Sequence, residues 1–465
     1  MGALTGTGYG RVSSPARSAR TLALVSDIHS PGRPIPRSDQ AGSSPADPSA
    51  SRAAQSPRHL PRSLRVLAVW GAASLLTLLM LRLGAQDAPA TPWAGPAPSW
   101  SEHMSFWDAG WYERIFREGY PAVLPEGDGG AIAQNSWAFM PLLPLLATPL
   151  TWLGLPFYPA AAIVAIAASG AGAVVMDRWL APRVGEVPSL WGVALTWTSM
   201  CAAVLQVPYA ESLGLLLVAG ALMAAERGRF AASALLIMVG SVARPIGLPL
   251  ALALGLWWLW ELVVARGHEG HRDGVGDGND DDRAGIWARR LGSGWVPLDG
   301  RGRAGLGGLT AVAVVSALVW PVAAWMATGR VDAYTATETS WRGGELEPFL
   351  PWLDRGQWWV GEHLGWLLVI CVLALAALGL GSRAARSLGP AAWCWCAAYA
   401  LYLLAFFDPT TSLLRILLPL APLAWAAAAG VGRRGRWTMV VAGVMAQAFW
   451  ISWVWDLSST ITWVP

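Results

Sequence analysis

Residues Leu64–Leu83 read LRVLAVWGAASLLTLLMLRL. The stretch has no acidic residue, and its only charges, Arg65 and Arg82, stand near its ends. A helix of this length rises about 30 Å, the thickness of a bilayer's hydrocarbon core. The stretch therefore predicts a membrane-spanning helix. Arg58, Arg62 and Arg65 cluster at its start, which predicts a cytoplasmic N-terminus by the positive-inside rule.

Further apolar runs are centred near residues 168, 198, 218, 239, 257, 316, 371, 399, 422 and 446. The pattern predicts an all-α polytopic bundle of about 11 transmembrane helices, within a range of about 10 to 13. Arg clusters order the connections: Arg178 and Arg183, Arg227 and Arg229, six Arg across 267–303, Arg383 and Arg386, then Arg433, Arg434 and Arg436. All fall on the cytoplasmic side if Phe139–Leu153 does not cross. Pro141, Pro144 and Pro149 interrupt that stretch, and proline removes a backbone donor and kinks a helix. It is expected to be a re-entrant or interfacial segment on the outer face.

Composition agrees with this reading. Of 465 residues, 54% are hydrophobic and 14% charged, which leaves little with which to build a water-facing shell. A net charge of +3, placed in short clusters between apolar runs, argues against a nucleic-acid partner. All 33 basic side chains are Arg, so a single Arg carries little information. The 30 Trp suit an interfacial belt, because indole joins an apolar body to a polar tip. Cys201, Cys371, Cys394 and Cys396 sit in apolar runs without metal or disulfide spacing, and are expected to be buried thiols.

Residues 1–62, rich in Ser, Pro, Arg and Ala, are expected to be disordered; residues 63–465 form the membrane domain. Within it, 85–137 is expected to be a long first extracytoplasmic loop and 267–303 a cytoplasmic loop. The cytoplasmic loop contains Asp280-Asp281-Asp282, read as a solvated charge run. A second outer loop, about 329–360, carries Trp341 and Arg342.

Charged residues near span ends are costly and call for a reason. Asp108 lies between Trp107, Trp111 and Tyr112. Aromatic rings can cover the apolar faces of a sugar while a carboxylate accepts a hydroxyl proton. The same rings would also anchor a loop at the interface. Glu211 opens an apolar run at its predicted outer end, where it either caps the helix dipole or serves a site. Arg244, in Ala243-Arg244-Pro245, needs an anion at that depth; a lipid headgroup or a lipid-linked substrate phosphate would serve. Arg415 takes a similar place later in the chain.

These stretches resemble the PIG-V family of membrane mannosyltransferases, in its bacterial branch. Trp107-Asp108-Ala109-Gly110-Trp111-Tyr112, with Glu118-Gly119-Tyr120-Pro121, resembles the family's first-loop motif. Phe139-Met140-Pro141-Leu142-Leu143-Pro144 resembles its Phe-Pro-Leu-Tyr-Pro segment, and Pro208-Tyr209-Ala210-Glu211-Ser212 its Pro-Tyr-Thr-Glu-Ser element. Ala243-Arg244-Pro245-Ile246-Gly247 and Arg415 with Leu418-Pro419 resemble its two Arg-containing elements.

The resemblance implies a GT-C-like fold at the plasma membrane and transfer of a sugar, mannose in this family, from a polyprenyl-phosphate donor. It implies Asp108 as the catalytic base, with inversion at the anomeric carbon. Trp107, Trp111, Tyr112, Tyr120, Tyr209, Glu211, Arg244, Trp341, Arg342 and Arg415 become substrate-binding candidates, the two Arg at 244 and 415 facing the phosphate. No obligatory metal or other cofactor is expected. The partners expected are membrane lipids, the lipid-linked donor and a glycolipid, polysaccharide or protein acceptor. Departures at Ala210, Trp111, Met140 and Leu143 leave the acceptor open. The competing reading is a transporter or flippase of lipid-linked saccharides, which places ionisable residues near the bilayer midplane and often repeats its halves.

Overall fold

The computed structural model describes residues 60–127, 130–272, 295–341 and 347–456. The expected disordered segment up to residue 59, Asp280-Asp281-Asp282 and Arg342 lie outside the described residues.

Among the described residues the fold is helical, with one isolated antiparallel bridge between Glu126 and Ile132. In chain order the helices are α1 Arg62–Asp87, α2 Trp100–His103, α3 Ala109–Glu118, α4 Leu142–Trp152, α5 Phe157–Val184, α6 Glu186–Trp197, α7 Glu211–Glu226, α8 Phe230–Ser241 and α9 Gly247–Arg272. There follow α10 Gly300–Thr328, α11 Ala333–Thr339, α12 Leu350–Val360, α13 Glu362–Gly381, α14 Arg383–Arg386, α15 Pro390–Phe406, α16 Leu413–Ile416, α17 Pro422–Gly430 and α18 Arg433–Trp450.

Among the described residues, six helical segments are long and apolar enough to cross a membrane: Arg62–Asp87, Phe157–Val184, Gly247–Ala265, Gly300–Thr328, Glu362–Gly381 and Arg433–Trp455. A seventh arises if Leu413–Leu420 and Pro422–Gly430, bent by 72°, count as one. Helix α13 has a mean hydropathy of 2.5, yet only 6% of its most apolar window is buried. So apolar and exposed a surface belongs in lipid. The protein is a helical membrane protein.

The remaining apolar helices are shorter than the sequence pattern predicts. Helices α6, α7, α8 and α15 have 12, 16, 12 and 17 residues, against about 20 for a full crossing. The run centred near 198 is in fact where α6 stops. Thr198 and Ser199 turn their hydroxyls onto the carbonyls of Ala194 and Thr196, both at 2.8 Å, a local alternative to further helix. The first loop is also not a plain loop, because α2, α3 and a 3₁₀ turn at Ser136–Ala138 are folded within it. Helices α9 and α10 take up both ends of the expected 267–303 loop, and Asp299 caps α10 by accepting from the Gly302 N–H at 2.7 Å. Phe139–Leu153 contains α4, whose 11 residues fall short of a crossing. Cys371 is exposed on α13 rather than buried, because that helix packs along so little of its length.

Buried polar contacts join the long helices away from the site. Arg62 donates to both oxygens of Asp177 at 2.8 and 2.7 Å, Ser189 donates to the same carboxylate at 2.6 Å, and Trp425 donates to Ser189 at 2.9 Å. This chain ties α1, α5, α6 and α17 together. Close approach of α6 to α17 requires glycine at 192, where a Cβ would stand 2.5 Å from the Trp425 ring.

Candidate active site

Four ends of helical segments meet in one place. Asp108 occupies the N-cap position of α3, but its side chain makes no cap bond. The carboxylate turns instead to Arg415. Glu211 is the first residue of α7. Helix N-termini carry partial positive charge, which favours both carboxylates there. Arg244 lies in the break between α8 and α9, and Arg415 in the short helix α16.

The four charges form one buried network. Arg415 donates through Nη1 to Asp108 Oδ2 and, at 3.3 Å, to Glu211 Oε1. Arg244 Nη1 donates to the same Glu211 oxygen at 3.0 Å. The anion that Arg244 needs is thus Glu211, and Glu211 is more than a dipole cap. The guanidinium of Arg415 also sits 5.5 Å from the centre of the Tyr209 ring, within cation–π range. Two guanidinia balance two carboxylates. Among the described residues, two polar atoms in this network remain buried without a hydrogen-bond partner, Glu211 Oε2 and Arg415 Nε.

The network lines a cavity of about 570 Å³. Tyr112, Phe139, Met140 and Trp341 also line it, as do Tyr399, Tyr402, Leu403 and Phe406 of α15. Leu215, Val218 and Ile246 continue the apolar wall. Arg355 holds Asp408 with two bonds, at 3.0 and 2.5 Å, and both side chains line the cavity. Burial pushes the phenol of Tyr112 well above its usual pKa, so it stays neutral and able to donate.

The sequence candidates therefore divide. Asp108, Tyr112, Glu211, Arg244, Trp341 and Arg415 line the cavity together. Tyr209 stands behind it: its hydroxyl accepts from the Asp108 N–H at 3.1 Å and donates to the Phe106 carbonyl at 3.2 Å. Trp107 points away, buried, with its indole N–H donating to the Trp455 carbonyl at 3.0 Å. Trp111 stacks on Phe139 at 5.8 Å and does not reach the cavity wall. Tyr120 packs on Trp137 at 4.5 Å and donates to the Phe139 carbonyl at 2.9 Å. Burial raises its phenol too. These three aromatics support the loop rather than line the cavity, because their polar tips are spent on backbone carbonyls or their faces on other rings.

Sequence reading missed the α15 wall and the Arg355–Asp408 pair. Tyr399, Tyr402 and Phe406 recur at three and then four residues, a one-face helical stripe that was available in the sequence. The ion pair joins residues 53 apart and leaves no local signal.

No family model, curated protein or solved structure matches the chain.

Proposed function

We propose that this chain is a membrane glycosyltransferase that moves a sugar, mannose on the resemblance above, from a polyprenyl-phosphate donor to a cell-envelope acceptor. The observation that carries the proposal is the cavity itself. Two carboxylates and two guanidinia meet in it, and most of the other lining side chains are aromatic or aliphatic, with Glu338, Arg355, Asp408, Thr410 and Ser412 as the polar exceptions. An amphiphilic phosphodiester fits such a division: its phosphate suits Arg415 and Arg244, and its sugar and chain suit rings and aliphatic groups.

In this reading the acceptor hydroxyl attacks the anomeric carbon while Asp108 takes its proton. The bond from the anomeric carbon to the phosphate oxygen breaks, and polyprenyl phosphate leaves with the electron pair. The configuration inverts. Arg415 and Arg244 stabilise the charge that grows on the leaving phosphate. The unpartnered Arg415 Nε offers a donor to a phosphate oxygen, and Glu211 Oε2 an acceptor to a sugar hydroxyl. A phosphate drawing Arg415 toward itself would also release Asp108 to act as a base. The proposed topology has a cytoplasmic N-terminus and a GT-C-like bundle that presents Asp108 at the outer face of the plasma membrane.

The test uses purified protein in liposomes, given polyprenyl-phosphate mannose and envelope glycolipid fractions. Transfer of labelled mannose is expected from the wild type. In Asp108→Asn it should fall by a factor of about 10² to 10⁴, the usual worth of a general base. No transfer to any fraction, or a fully active Asp108→Asn, would overturn the proposal. Passage of the intact donor across the bilayer without transfer would point instead to a flippase.

A further inference from the structure

Trp107, the residue before Asp108, has φ of +61°. This left-handed conformation is unfavourable for a bulky side chain and persists only where surroundings enforce it. Trp93 packs on the Trp107 ring at 4.6 Å, and the far end of the chain supplies its hydrogen bond. The indole N–H of Trp107 donates to the carbonyl of Trp455 at 3.0 Å. Trp455 closes a π-helical turn over Ile451–Trp455, itself an uncommon conformation often found beside functional sites. Its own indole N–H returns to the His103 carbonyl at 2.9 Å.

His103 then completes the clamp. Its ring is fully buried and hydrogen-bonded through Nε2 to the Asp456 carboxylate. It also packs edge-on against Phe106 at 5.3 Å. Helix α1 closes on this pair from behind: a Cβ at Gly84 would lie 3.1 Å from Asp456 Oδ2 and 3.5 Å from His103 Cε1. The Tyr209 hydroxyl bridges Phe106 and Asp108, and its ring packs against that of Trp455 at 5.7 Å. The turn 106–108 is thus held by both Trp455 and Tyr209. His103, Trp107, Trp455 and Asp456 do not line the cavity, so packing of a substrate does not account for them.

We propose that His103 and Asp456 are positioning residues for Asp108. The buried pair locks the turn at 451–456 against the first loop, the Trp455 carbonyl holds Trp107 in its left-handed conformation, and the next side chain is thereby aimed at Arg415. Without the pair, Trp107 relaxes to negative φ, the following peptide plane rotates, and the Asp108 N–H leaves Tyr209. The role in turnover rests on the transferase reading; the geometric role does not.

The experiment therefore has two arms on the full chain in lipid nanodiscs. The first measures the rate at which a water-soluble carbodiimide modifies Asp108, read by peptide mass mapping. Asp456→Ala is expected to raise that rate several-fold, as the carboxylate leaves its ion pair. The second measures mannose transfer. Asp456→Ala is expected to lower kcat about 100-fold, the effect of a misplacement near 1 Å, with the donor KM unchanged. Asp456→Asn keeps an acceptor for the His103 ring and should restore most of both readouts. Gly84→Ala presses a methyl on the same pair without removing it, and should shift both in the same direction by less. The proposal is overturned if a folded Asp456→Ala labels at the wild-type rate. Losses that simply follow the thermal midpoint across the variants would also overturn it. If wild-type protein transfers no sugar, the transferase reading fails, and the labelling arm still decides the clamp.

Discussion

Replacing Arg415 with Met removes one charge from a network in which two cations offset two anions. The side chains of Arg415, Asp108 and Glu211 are 9%, 10% and 4% exposed, so water cannot stand in for the lost partner. Glu211 keeps Arg244 at 3.0 Å. Asp108 keeps no guanidinium within hydrogen-bond reach among the described residues. Breaking a buried pair from one side costs about 3–5 kcal/mol, because the other charge stays buried and uncompensated. Arg415→Met is therefore expected to lose stability of that order. Adding Asp108→Asn removes the stranded charge and restores neutrality, so the double variant should be more stable than Arg415→Met alone. The coupling energy of the cycle should be about 2 kcal/mol or more, toward the upper end for residues in one network. The assay is unfolding in mixed detergent micelles followed by circular dichroism, for wild type, both single variants and the double variant. Strict additivity, with the double variant no better than Arg415→Met, would refute the claim that Asp108 and Arg415 compensate each other.

Other outcomes follow from the same structure. Gly192→Ala forces a methyl into the Trp425 ring, 2.5 Å away before relaxation, and should cost about 1–3 kcal/mol by overpacking, seen as a lowered thermal midpoint. In a Cys371→Ser background, Val123→Cys should react with an impermeant maleimide added to intact cells, whereas Arg229→Cys should react only after permeabilisation; the reverse pattern would invert the proposed topology. The raised phenols of Tyr112 and Tyr120 contribute stability that is present below the unfolded pKa of about 10. Above it the unfolded chain loses phenol protons that the folded chain keeps, so stability falls as pH rises. Tyrosinate absorbance should lag in folded protein at alkaline pH and jump on unfolding.

The apolar runs were legible because a bilayer demands long, nearly uncharged stretches, and α1, α5, α9, α10, α13 and α18 answer to them. Individual site charges were legible for the complementary reason: a carboxylate or guanidinium at the end of such a stretch is costly enough to stand out. What these charges touch was not legible. Arg415 and Asp108 are 307 residues apart and His103 and Asp456 are 353 apart, and no periodicity spans such distances. The aromatics around Asp108 misled for another reason. Trp107, Trp111 and Tyr112 look like a sugar platform in sequence, but sequence does not say which way a ring points. Only Tyr112 of that group faces the cavity.

The short helices, where the span count and the structure diverge, are also where the site is made. Glu211 opens α7 after the break that follows α6; Arg244 lies in the break between α8 and α9; Arg415 follows the break after α15. A break in an apolar bundle frees backbone carbonyls and amides that lipid cannot satisfy, so irregular backbone at membrane depth is tolerated only where protein or a cavity surrounds it. Here the freed groups find partners close to the charges. Ser212 donates to the Leu205 carbonyl at 2.9 Å, Tyr399 to that of Ile416 at 2.8 Å, and the Leu142 N–H to that of Val242 at 3.0 Å. This last bond gives α4 a physical role: its start satisfies the broken end of α8, two residues before Arg244. A continuous helix would have needed none of these partners, but it would also have turned its charged residues along its own face. Interrupting the helices is what lets carboxylates at two N-termini meet two guanidinia in one cavity inside an otherwise apolar bundle.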